Sequence, residues 1–177
     1  MKKLIVLLSL GLILVGCGSK KPETPETPET PDTNSVASIT DQGSVLADSL
    51  GANGNWITAA TADIIFDSAL TVDGEFHDKG DAKNAVYRKL ALHTQDDKFN
   101  IIDNFTLTTP KLVVKSENFT VFYGTIKGDV EVHADGFTLV GTKVEGNVIF
   151  ASEENKNSAD LDKDAEGAEI SGEVSVQ

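Results

Sequence analysis

In the C-terminal third of the chain, apolar side chains come in alternating pairs, such as Val130/Val132 and Phe137/Leu139. Between them stand a lone Val144 and the turn residues Gly136, Gly141 and Gly146. Alternation of this kind predicts short strands with one buried face. The pattern also repeats. Placing residues 118–135 over 136–153 without a gap aligns Phe119 with Phe137, Thr120 with Thr138, Val121 with Leu139, Ile126 with Val144 and Gly128 with Gly146. The same alignment puts Val130 over Val148 and Val132 over Phe150, an offset of 18 throughout. One step further back, Leu112 and Val114 fall under Val130 and Val132, with Pro110 at the place of Gly128. Forward, Ile170, Gly172, Val174 and Val176 continue the series after a displacement of 26, which is the period plus an eight-residue insertion within 153–169.

A fixed period this short, without helical spacing inside it, predicts an all-β fold. The expected form is a short single-stranded parallel β-helix with about 18 residues per coil, each coil stacked on the last. Corresponding residues then form inward columns: Leu112-Val130-Val148-Val174, Val114-Val132-Phe150-Val176 and Ile126-Val144-Ile170. One coil buries about five side chains at ~1.5–3 kcal/mol each, while ordering its backbone costs ~1–2 kcal/mol per residue, so stability rests on stacking. Upstream, Leu70/Val72 and Leu90/Leu92 read as earlier strand pairs, with loop insertions at 78–83 and 96–103. Val45, Leu46 and Leu50 before Gly51 predict a short helix over 44–50 that caps the first coil, joined by Trp56, Ile64, Ile65 and Phe66. The folded domain is expected over 40–177, with regular coils over 111–177.

The front of the chain has a different character. Lys2 and Lys3 precede an apolar run from Leu4 to Val15, the pattern of an export signal over residues 1–16. As a helix that run rises roughly 18 Å, short of the ~30 Å hydrocarbon core of a membrane. Leu14-Val15-Gly16-Cys17 resembles the bacterial lipobox. The resemblance implies a diacylglyceryl group on the Cys17 sulfur and cleavage that leaves Cys17 at the mature N-terminus. It places the protein on the outer face of the cytoplasmic membrane, or on the outer membrane of a host that has one. Two acyl chains suffice for stable anchoring. Residues 17–39 then read as a tether: Pro22, Pro25, Pro28 and Pro31, four of the five prolines, recur every third residue between Glu, Asp and Thr. Such a segment favours polyproline II and reaches roughly 35–40 Å.

Charge and cysteine content narrow the partners. The net charge of −13 becomes −15 once Lys2 and Lys3 leave with the signal, which disfavours nucleic acid and anionic lipid and leaves membrane attachment to the lipid anchor. Cys17 is the only cysteine, so packing alone holds the domain. The Gly-Asp-Val-Glu-Val run at 128–132 and Gly-Asn-Val-Ile-Phe at 146–150 resemble the polymer-forming bactofilins. That resemblance covers about 111–176 and implies a right-handed β-helix that assembles end to end without a nucleotide cofactor. The export signal, the tether, the non-repeating front part and the late insertion depart from that family. The 7, 7, 4 spacing through 130, 137, 144 and 148 also departs from the strict sixes of hexapeptide acyltransferases.

Candidate chemistry is sparse. His77, His93 and His133 are scattered, and no phosphate loop, serine elbow or Cys/His cluster is present, so a non-enzyme is expected. Asp160, Asp162, Asp164 and Glu166 alternate as in a calcium loop, but Ala165 stands where the sharp turn wants glycine and Ser171 where the bidentate Glu belongs. Those departures favour a solvated acidic insertion, with no cofactor beyond the lipid. The expected role is structural or adhesive, with self-association through the C-terminal coil, where Val176 leaves a strand edge open. The alternative is a module that binds envelope polysaccharide or a cation. Tyr123, Tyr87 and Trp56 offer stacking surfaces, although aromatic residues make up only 6% of the chain and give little from which to build a platform.

Overall fold

The computed structural model describes residues 37–161 and 166–177, in which strand is the main regular structure. In chain order, β1 (Ala37–Thr40) leads to helix α1 (Gly43–Leu50), then β2 (Ile57–Ala60), β3 (Ile64–Ile65) and β4 (Leu70–Val72). Next come β5 (Arg88–Ala91), β6 (His93–Gln95), β7 (Ile101–Asn104) and β8 (Thr106–Val114). The chain continues with β9 (Phe119–Phe122), β10 (Thr125–Val132), β11 (Thr138–Val140), β12 (Lys143–Glu145) and β13 (Val148–Phe150). Helix α2 (Glu153–Ser158), β14 (Glu169–Ile170) and β15 (Val174–Val176) complete it.

Two parallel sheets result. The first has the order β1-β2-β5-β9-β11. In the second, β3 and β4 lie beside β8, β8 beside β10, β10 beside both β12 and β13, and these beside β14 and β15. Parallel neighbours need a crossover between them. From β8 to β12 the chain alternates between the two sheets, so that strands of one supply crossovers for the other; α1 joins β1 to β2 within the first sheet, and β12 to β15 all belong to the second.

The register brings like residues together. Val130 pairs with Leu112 on one side and Val148 on the other, and Val148 pairs with Val174. Val114, Val132, Phe150 and Val176 are partners in the same order, as are Ile126, Val144 and Ile170. Upstream, Leu70 and Val72 stand opposite Leu112 and Val114, and Leu90 stands opposite Val121. One step departs from the period. Ile126 pairs with Leu107 because β8 carries an extra residue where Thr109 and Pro110 face Gly128. Gly128 sits at φ 138°, and a Cβ there would lie 1.8 Å from the Thr109 carbonyl oxygen, so only glycine fits.

Several elements differ from the sequence expectation. The first described strand, from Ala37, lies inside the stretch read as tether, and β1 extends the first sheet ahead of α1. Leu46 and Leu50 of α1 are buried in the core, but Val45 is partly exposed to solvent. Ile64 is a core residue paired with Leu107, whereas Ile65 points outward from the same strand at 73% exposure and Trp56 lies on the outer side of the first sheet, so neither joins a cap. Hydrophobicity alone did not separate the two faces of these short strands. The two upstream insertions are structured excursions: a 3₁₀ turn at Asp78–Gly80 within a His77–Val86 antiparallel bridge, and the antiparallel β6–β7 hairpin. The late insertion is more than a solvated loop. Ser152 caps α2 by accepting from the Asn155 amide, Asp160 bridges to Thr138, and Ala159, Leu161 and Ala168 pack against the core. In the second sheet β14 and β15 come last, with no further strand beside them among the described residues and Val174 partly exposed.

Among the described residues, one charged side chain lies fully inside. Arg88 is completely buried and donates from Nε to the Asn55 carbonyl at 3.0 Å. One terminal nitrogen donates to the Asp73 carbonyl at 2.5 Å and Ser116 Oγ at 3.0 Å, the other to the Ser49 and Gly51 carbonyls at 2.8 and 3.0 Å. All five guanidinium donors are thereby satisfied. The carbonyls of Ser49 and Gly51 belong to the end of α1, where carbonyls lack helical partners. The guanidinium also stacks 4.0 Å above the Phe76 ring. Burial pulls its pKa down to about 10, with the negative charge of Asp73 opposing, so it remains a cation at neutral pH. Arg88→Leu would take five buried donor contacts away at once, although the Ser49 and Gly51 carbonyls keep the Asn55 and Gly54 amides. Urea unfolding should show a loss of about 3–5 kcal/mol, with Arg88→Lys recovering only part of it; an unchanged midpoint would contradict this role.

Candidate functional site

The outer face of the first sheet carries two rows fixed by the parallel register. Ile57, Lys89, Thr120 and Thr138 form one; Ala59, Ala91, Phe122 and Val140 form the other. The excursions wall this face. One recess of about 550 Å³ lies against the first excursion, lined by Asp78, Val86, Tyr87, Thr120, Thr138 and Val140 among others. A second of about 290 Å³ lies against the hairpin and includes Lys89, His93, Gln95, Phe99, Ile101 and Tyr123. Phe122 lines both, so they read as the two wings of one trough. Thr120 and Val140 are each only 5% exposed although their strand positions face outward.

Lys89 occupies the junction. Its ammonium nitrogen lies 5.1 Å from the Trp56 ring and 5.6 Å from the rings of both Tyr87 and Phe122. Such a cation is attracted to the negative faces of the rings. Burial lowers the Lys89 pKa and Asp78 opposes that shift. Burial also raises the Tyr87 pKa, opposed by a side-chain hydrogen bond with Thr120 and reinforced by Asp78, so the Tyr87 hydroxyl is neutral. Trp56 and Tyr87 meet at 6.4 Å with planes tilted by 44°. The Trp56 Nε1 donor is buried without a hydrogen-bond partner among the described residues.

At the far wing, Tyr123 packs edge-on against His93 at 4.8 Å and donates from its hydroxyl to Glu166 Oε2 at 2.6 Å. Its backbone has φ 56°, a left-handed conformation that costs about 1–2 kcal/mol in a residue with a side chain. It holds the ring at the corner between β9 and β10. Phe99, at the hairpin tip, is 77% exposed.

The other residues singled out from sequence fall elsewhere. His77 lies beside Glu75 and contacts the Asn84 carbonyl, while His133 lies 2.6 Å from Glu131 on the outer side of the second sheet. Glu131 also accepts from Lys111, and these two partners hold its carboxyl below the usual range. Asp160 is engaged through its backbone with Phe137 and Leu139. The Glu166 carboxylate faces Tyr123. Asp162 and Asp164 lie outside the described residues, as do Leu14, Val15, Gly16 and Cys17.

Of the aromatic residues named from sequence, Trp56 and Tyr87 come together around Lys89, and Tyr123 joins the opposite wing. Lys89 and Phe122 were not identified. The signal available was the Thr120/Thr138 alignment, which marks an outward row as well as a repeat. No protein-family model, characterised protein or solved structure matches this chain, so the site is read from its own geometry.

Proposed function

We propose that this chain is an exported envelope lipoprotein, anchored through acylated Cys17, whose β domain is a non-enzymatic adhesive module that holds envelope polysaccharide in the trough. In this reading the strands are the coils of a short, right-handed, single-stranded parallel β-helix, with α1 covering its first coil and the late insertion lying beside the last strand of the first sheet. The in-register partners 18 residues apart support it.

The observation that carries the adhesive role is the floor and walls of the trough. Aromatic side chains of Tyr87 and Phe122 lie beside hydroxyl and amide groups from Thr120, Thr138 and Gln95. Sugars present both apolar C–H faces and hydroxyls, and a site that binds them needs this combination. Phe122→Ala is expected to weaken retention on immobilised cell-envelope polysaccharide by about tenfold or more without loss of folded protein; undiminished retention would contradict the adhesive reading.

Anchoring is tested separately. Cys17→Ser should move the expressed protein from the membrane pellet to the soluble fraction after export, and a variant that stays with membranes would remove the lipid-anchor reading.

A second reading, self-association, draws on the terminal position of β14 and β15 and the exposure of Val174. The net charge, −13 for the whole sequence and −15 without Lys2 and Lys3, opposes it at low salt. A sedimentation coefficient that rises with concentration supports self-association, and a constant monomer value eliminates it.

A further inference from the structure

We infer that the hairpin side of the trough selects a carboxylate-bearing sugar, with the Lys89 ammonium receiving the carboxylate while the sugar ring rests on Phe122. This rests on the trough being the adhesive surface.

Charge is the first argument. The chain holds 28 acidic residues against 15 basic ones, yet the recess beside the hairpin is lined by Lys89 and His93 with no Asp or Glu among its described lining residues. Lys89 is thus the one formal charge among those lining residues on an acidic molecule, with Asp78 of the adjoining recess the carboxylate that acts on it from outside.

The second argument is the state of Lys89. Lys111, Lys127 and Lys143 on the second sheet each sit against a glutamate, at Glu131 or Glu145. Among the described residues Lys89 forms no ion pair, and its ammonium is surrounded by ring faces. Rings attract a cation but offer its N–H groups no lone pairs of the strength a carboxylate provides. A partly desolvated ammonium with unused donors is a receptor for an anion, and a charge-assisted hydrogen bond formed there is stronger than one in open water.

The third argument selects the kind of anion. Phosphate recognition favours arginine forks or nests of backbone amides, whereas one lysine matches one singly charged carboxylate. A polymer dense in phosphate would also meet the repulsion of the whole acidic domain, which a glycan with sparse carboxylates meets less. Phe122 lies 5.6 Å from the Lys89 nitrogen, so a ring on its face brings a substituent carboxyl within reach. The opposite wing, with Thr120, Thr138, Asn118 and Asp78, suits the hydroxyls of the next sugar rather than a second anion.

The test is calorimetric titration of the full chain in detergent with oligogalacturonate and hyaluronan oligosaccharides, each beside its carboxyl-reduced form. The acidic form should bind at least about tenfold more tightly than the reduced one. Lys89→Met should abolish that preference, Lys89→Arg should keep it, and Phe122→Ala should weaken both forms alike. Equal affinity for acidic and reduced forms in the wild type, or a preference that survives Lys89→Met, overturns the carboxylate inference and leaves the adhesive reading standing. Absence of binding by every one of these glycans, in protein whose melting shows it folded, overturns both. The wild-type comparison decides the question even if a Lys89 variant does not fold.

Discussion

Parallel, in-register contact between apolar side chains of successive strands is the constraint on which this molecule depends. Val130 meets Val148 and Val148 meets Val174, while Leu90 meets Val121 and Val121 meets Leu139, and all but the last strand's members are fully or nearly fully buried. Because side chains alternate with period two, a slip of one residue would turn this inner set outward. The described part of the chain has no cysteine with which to correct such a slip. The same register writes the outer face. Lys89 stands beside Thr120, and Ala91 beside Phe122, because Leu90 stands beside Val121. The trough floor is thus the reverse side of the core.

The interruptions of the repeat have two uses. The excursion between β4 and β5 and the β6–β7 hairpin project from the stacked strands and wall the first sheet, giving depth to a face that would otherwise be flat. The segment at the start of the first excursion is also tied inward: Asp73 and Gly74 offer carbonyls to Arg88 and Ser116, and Phe76 covers the guanidinium. Arg88 therefore joins the end of α1, the base of one trough wall and the turn at Ser116 in a single buried network. Burying a cation in this way is costly, and full satisfaction of its donors offsets the cost.

The repeat was readable where it is uninterrupted. From Leu112 to Val176 the strands follow the alignment of equivalent positions, including the shift across the late insertion. It stopped being readable for physical reasons. The extra residue near Pro110 moves Leu107 out of phase with Ile126, and a period search sees that as a mismatch although the side chains are partners. Further upstream the excursions are of unrelated lengths, so no constant offset links Leu90 to Val121 or Leu70 to Leu112. Arg88 carries no signal in the sequence, because most of its partners are carbonyls distant along the chain. The aromatic residues of the trough could be named one by one, but their grouping around Lys89 depends on the pairing of β5 with β9.

The most direct measurement is methyl–methyl nuclear Overhauser spectroscopy on protein with labelled valines. Stacked partners should give strong cross-peaks between Val130 and Val148 and between Val148 and Val174, since neighbouring strands lie about 4.8 Å apart. Their absence, with Val130 and Val148 reporting different surroundings, would contradict the stacking from which both the core and the trough are built.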